Sequence, residues 1–176
     1  MNSEEPKIVL DGEFEEVLSI KGHYYLRSKK DQVCVLPYTI SNDGLLDKMG
    51  VVEVWNEVER KNIQTLLKDY LTEDDGTNLV GANRVLYEIS GTNLEDASRW
   101  MYLGTLVNTL VSDSPIRVYA ADVSGVEIKP EENVMNEEAR KKFRMIDSSS
   151  VVQSDDLLFL GAFTRLFNFF YTQSLK

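Results

Sequence analysis

The sequence predicts an α+β domain, and three observations carry that expectation. Short apolar runs of the strand kind, broken by turn residues, open the chain after a polar start. One amphipathic helix, over residues 79–90, interrupts them, and more strand-like segments follow. A second helix, over roughly 155–172, closes the sequence. Strands, one helix, more strands and one helix suit an α+β domain rather than alternating βαβ units. The 176 residues suit one domain. Residues 1–14 are expected as an N-terminal tail and 15–176 as the domain.

Taken in order, "EEVLSIKGHYYLRSKKDQVCVLPYTI" predicts strands at Val17–Ile20, Tyr24–Arg27 and Val33–Tyr38, with "KGH" turning between the first two. Pro37 has no N–H and is expected at a strand end or edge. "SNDG" at 41–44 is a turn, and "GVVEVWNEVE", from Gly50, alternates as a strand does. "NIQTLLKDYL" fits helix or strand equally, and "TEDDGTN" is a polar loop. Thr77 or Asn78 can cap the helix that follows. Ala82, Val85, Leu86 and Ile89 hold its apolar face at i, i+3, i+4 and i+7, and Gly91 supplies the stop. Arg84 and Glu88 stand four apart and can pair on the surface.

"WMYLGTLVNT", "PIRVYAADV" and "FRMID" read as strands, with a charged loop, "KPEENVMNEEARKK", before the last. Ser154, Asp155 and Asp156 suit the start of the final helix by capping and by dipole attraction. Along that helix Leu160, Phe163, Phe167 and Phe170 follow one stripe and are expected in the core. Phe159, Leu166 and Phe169 lie off it, so some aromatic surface is expected to remain for a protein partner or a second copy of the chain.

The formal net charge is −10, from 29 acids and 19 bases, which repels the phosphates of DNA and RNA. It also repels a phosphorylated small molecule unless a divalent cation lies between. Cys34, in the apolar run "VCVL", is the single cysteine and is expected as a buried thiol without a disulfide. His23 is the single histidine, so neither a Cys–His pair nor a histidine-rich zinc site is expected. The polar start "MNSEEPK" has no signal-peptide core, and no apolar window is long enough for a bilayer. The expectation is a soluble cytoplasmic protein without a membrane or nucleic-acid partner.

The segment "GANRVLYEISGTNLEDASRWMYLGTL", followed by "SPIRVYAADV", resembles the Nudix hydrolases over residues 79–123. The family signature is G-x5-E-x7-R-E-U-x-E-E-x-G-U, with U a bulky aliphatic residue. The resemblance implies a mixed β-sheet flanked by helices, an α/β/α sandwich, with a second helix opposite the first. It also implies cleavage of a nucleoside-diphosphate-linked pyrophosphate with Mg or Mn, which would neutralise phosphate and activate water. The glutamates of E-x-x-E-E share one helical face because magnesium wants hard oxygen ligands. The signature arginine pairs with a carboxylate and orients it.

Residue by residue, Arg84 matches the signature arginine, Leu86 the first U, Glu88 the first glutamate of the E-E pair, and Gly91 the glycine. Val85 and Ile89 stand where two glutamates belong. Thr92 replaces the final U, Gly76 falls at the upstream glutamate, and Tyr70 at the upstream glycine. Glu73, Asp74 and Asp75 lie near enough for a loop-length change to bring one into play. The degenerate signature implies a Nudix-fold protein with a degraded metal site, no cofactor, and a role in binding a nucleotide or a protein. The alternative is a working pyrophosphatase that uses Glu88 and Arg84 with displaced acids as metal helpers. Those helpers are Glu73, Asp74 and Asp75, or Glu131, Glu132, Glu137 and Glu138 of the charged loop.

Overall fold

A computed structural model describes residues 6–56, 59–107, 115–129 and 142–174. Among these described residues, ten strands form two sheets, and two α-helices flank the larger one. The smaller sheet is antiparallel, in the order β1 (Lys7–Asp11), β2 (Glu15–Ile20), β3 (His23–Ser28). Strand β1 lies within the segment expected as a tail; it pairs with β2 and is exposed along its length. The turn between β2 and β3 places Lys21 and Gly22 at φ 51° and 80°, which lets a two-residue connection reverse the chain. Phe14 stacks on Tyr70 at 4.9 Å, and the Tyr70 hydroxyl donates to Glu15, tying this sheet to the main body.

The larger sheet runs β10 (Lys142–Asp147), β5 (Leu46–Asn56), β4 (Gln32–Ile40), β9 (Pro115–Asp122), β8 (Trp100–Val107). It is mixed, because β4 and β9 are parallel while the other pairs are antiparallel. Strands β6 (Lys61–Thr65) and β7 (Leu67–Tyr70) pair with β5 and β4 respectively. They are the ambiguous stretch "NIQTLLKDYL". Consecutive strand residues face opposite sides of a sheet, so Leu66 is buried on one face and Leu67 on the other. With both faces covered there, the sequence shows no clean apolar–polar alternation.

Alternation along β4 divides the core in two. Cys34, Leu36 and Tyr38 enter one apolar cluster, and Val33 and Val35 enter the other. Helix α1 (Asn78–Ser90) covers the second cluster through Ala82, Val85 and Leu86. Helix α2 (Leu157–Ser174) covers the first through Phe159, Ala162 and Leu166. The helices therefore lie on opposite faces of the sheet, the α+β arrangement expected.

Two expectations need correction. Pro37 sits in the interior of the central strand, not at an end or an edge. It is tolerated because β4 changes partners there, pairing with β7 over Gln32–Val35 and with β5 from Tyr38, so no ladder donor is needed between. Gly50 makes room for the ring, since a Cβ there would stand 2.8 Å from Pro37. The second correction concerns the phase of α2. Its buried stripe is Phe159, Ala162 and Leu166, all at 0% exposure, whereas Phe167 is 49% exposed. Leu160, Phe163 and Phe170 lie only partly covered at its margin. The Asp156 carboxylate accepts from the Leu158 and Phe159 amides, starting the helix so that this stripe meets the sheet.

Candidate functional site around Arg84

Helix α1 starts where Thr77 accepts from the Val80 amide at 3.2 Å. It ends at Gly91, whose N–H donates to the Tyr87 carbonyl from the left-handed conformation, φ 69°. Backbone crowds that end: a Cβ on Gly91 would stand 1.7 Å from the Lys129 carbonyl oxygen. Val126 and Ile128, just before that carbonyl, join Ile89 in the apolar cluster under α1.

The guanidinium of Arg84 gathers the polar side chains of the region. Its Nε donates to Asp75 at 2.8 Å, and Nη2 donates to Asp75 at 3.1 Å and to the Tyr70 carbonyl at 2.8 Å. Its Nη1 donates to Glu88 at 2.9 Å and to Asp69 at 3.2 Å. The Arg84–Glu88 pair anticipated from the i, i+4 spacing is thus present. A loop one residue out of step with the signature brings Asp75 to the arginine, while Glu73 and Asp74 stay exposed on the same 3₁₀ turn. Asp69 was not anticipated. Its place opposite Arg84 depends on β7 pairing with β4, which no local pattern reveals.

Asp75 is 6% exposed, and its second oxygen also accepts from the Thr72 amide at 2.8 Å. The Arg84 hydrogen bonds hold its carboxyl below the usual carboxylate range against the opposing effect of burial. The same partners raise the Arg84 pKa.

On the adjacent face of the helix, Val85 is fully buried and Ile89 partly so, both within the cluster that includes Val33, Val35, Leu67 and Val123. Among the described residues, the donor set here does not suit a divalent ion. Two positions that the signature gives to carboxylates are apolar and packed. The carboxylates that remain nearby, Asp69, Asp75 and Glu88, face a cation the protein supplies itself. Among the described residues, no three His, Cys, Asp or Glu side chains are grouped to hold a metal. Glu131, Glu132, Glu137 and Glu138 lie outside the described residues.

His23 is exposed at the start of β3. The Trp100 indole donates to the Leu94 carbonyl at 2.9 Å, and Tyr102 leans on Tyr119 at 5.1 Å. A surface depression of about 880 Å³ lies between β6 and the start of α2, and Arg84 does not line it. Lys61 crosses its rim to Glu59 and Asp155. Among the described residues no helix is long and apolar enough to cross a membrane.

No family model matches the sequence, and no curated protein is significantly similar to it. In fold, the chain is similar to a solved ADP compounds hydrolase, with a TM-score of 0.64 and 13% identity. That match covers 97% of this chain and 94% of the other. It is also similar to RenU, a Nudix hydrolase from M. smegmatis, with a TM-score of 0.57, 13% identity, and coverage of 94% and 98%. At that identity the likeness is one of fold: the mixed sheet between two helices is shared with Nudix hydrolases.

Proposed function

We propose that this chain is a Nudix-fold protein with a degraded metal site, and that it works as a non-catalytic binding or interaction module. One observation carries the reading. On α1, Val85 and Ile89 occupy the positions the signature gives to metal-binding glutamates; Val85 is buried in the core and Ile89, partly covered, packs against it. Arg84 takes up Asp75 and Glu88. Without a cation, a diphosphate would meet a protein of net charge −10 with no Lewis acid and no activated water. A protein partner therefore fits better than a nucleotide.

The test is a hydrolysis panel of ADP-ribose, NADH, dinucleoside polyphosphates and nucleoside triphosphates, each with Mg and with Mn. The natural chain is expected to turn over none of them, since losing both metal roles costs many orders of magnitude in rate. Turnover that disappears in Glu88→Gln would instead establish a pyrophosphatase with displaced acids.

A further inference from the structure

The larger sheet ends at a strand whose backbone is held by a side chain from α2. Among the described residues β8 is the last strand, beyond β9. A strand in that place offers a row of backbone donors and acceptors to any extended chain that reaches it. In the middle of β8 two acceptors are already taken. Nη1 of Arg165 donates to the Leu103 carbonyl at 2.9 Å and to the Thr105 carbonyl at 3.1 Å. Carbonyls two residues apart on a strand point to the same side, and here one guanidinium nitrogen serves both.

Three features of the sequence build this contact. The pairing of β8 with β9 slips between Tyr102 and Gly104, which leaves Leu103 as an extra residue. Gly104 takes a φ of 99°, where a side chain would be strained, and a Cβ on it would stand 2.8 Å from Nη1 of Arg165. Glycine therefore supplies both the bend and the room for the guanidinium. Arg165 is also the sole charged residue of Leu157–Ser174. Ala162 and Leu166, on either side of it, are fully buried and already seat the helix on the sheet.

We infer that Arg165 guards this edge: α2 sets a cation on the carbonyls that an incoming strand would need, and so keeps β8 from pairing with other extended chain. The strand needs such a guard. Trp100–Val107 contains no charged residue and no proline, the usual means by which an edge is blunted. Its aromatic and aliphatic residues favour extended pairing. A guanidinium suits the task because it stays charged and can donate in several directions at once. The contact lies at β8 and α2, so the inference holds whether or not the region around Arg84 hydrolyses anything.

The test compares variants of the full chain, each held well below its own melting temperature. Arg165→Met keeps an unbranched side chain and removes the guanidinium. It is expected to assemble as concentration rises, with the infrared signature of intermolecular strands, under conditions where the natural chain shows none. Adding Val107→Lys, at an exposed position of the same strand, should suppress that assembly without restoring the melting temperature. Gly104→Ala should behave as Arg165→Met does, because its Cβ displaces the guanidinium, and it carries the test if Arg165→Met does not fold. The inference is overturned if the variants melt lower but form no intermolecular strands, for Arg165 would then only fasten α2 to β8. It is overturned too if the natural chain assembles as readily, or if Arg165→Met assembles equally well with Val107→Lys, which would place the contact elsewhere.

Discussion

Asp75 and Arg84 form the most committed polar contact of the α1 region, and their chemistry sets two expectations. Asp75 is nearly buried, so Asp75→Asn leaves a partly buried guanidinium without its principal counter-charge. The cost should be about 2–3 kcal/mol in a denaturant titration at neutral pH. Glu88 is half-exposed, and Glu88→Gln should cost less than about 0.5 kcal/mol. The pH dependence has a definite sign. A carboxyl whose folded pKa is depressed stabilises the fold fully above its ordinary value of 3.8, and that stability is lost as pH falls through the folded value. The natural chain should therefore lose stability below pH 3.8 more steeply than Asp75→Asn. Parallel curves would show that Asp75 carries no such linkage. Gly81 makes a related point about space. A Cβ there would stand 2.2 Å from Leu71 and 3.1 Å from the Asp75 carboxylate. Gly81→Ala should lower the melting temperature even though alanine is the better helix former.

At the scale of elements, the two helices differ in how much of their surface the sheet consumes. Restoring the signature on α1 tests whether its inner face has become core. Val85→Glu would bury a carboxylate with no partner and should prevent folding or cost more than about 3 kcal/mol. Ile89→Glu, at a partly covered position, should be milder and leave a soluble, folded protein. Folded Val85→Glu that binds magnesium tightly in calorimetry would contradict this view of the helix. On α2, Phe159→Ala and Leu166→Ala should each cost roughly 2–5 kcal/mol. Phe167→Ala should change monomer stability by no more than about 0.5 kcal/mol. Equal losses at Phe159 and Phe167 would mean that the exposed stripe is wrongly placed.

Across the whole molecule, Cys34 reports on opening. It lies at 0% exposure beneath α2, and burial pushes its thiol pKa up to about 12. A thiolate forms only when the sheet and helix separate, so labelling by a thiol reagent at pH 8 should be slow and should track global unfolding. Stoichiometric labelling within seconds under native conditions would show the first core cluster to be open. The net charge of −10 acts at the same scale: it disfavours phosphate ligands without a cation.

Much of this was legible in the residues, because it depends on neighbours in sequence. The strand periods around Val17–Ile20, Tyr24–Arg27 and Val33–Tyr38, the α1 face, a cap at Thr77 or Asn78, its Gly91 stop and the Arg84–Glu88 pair all follow from local spacing, and the structure selects Thr77 as the cap. The expected α+β order follows from those elements taken together. Local spacing could not decide where distant strands meet. The pairing of β4 with β7 and then β5 is long-range; it accommodates Pro37 inside a central strand and carries Asp69 to Arg84. It also could not decide which stripe of an almost wholly apolar helix is buried. When residues on most sides of α2 are apolar, hydrophobicity gives no phase, and the packing of Phe159 and Leu166 against β4 and β9 selects one orientation. Sequence alone therefore determined most of the elements, though not β1, β6 or β7, and the missing carboxylates. Tertiary structure decided that Asp75 belongs to Arg84, and that Phe167 and Tyr171 are left facing outward.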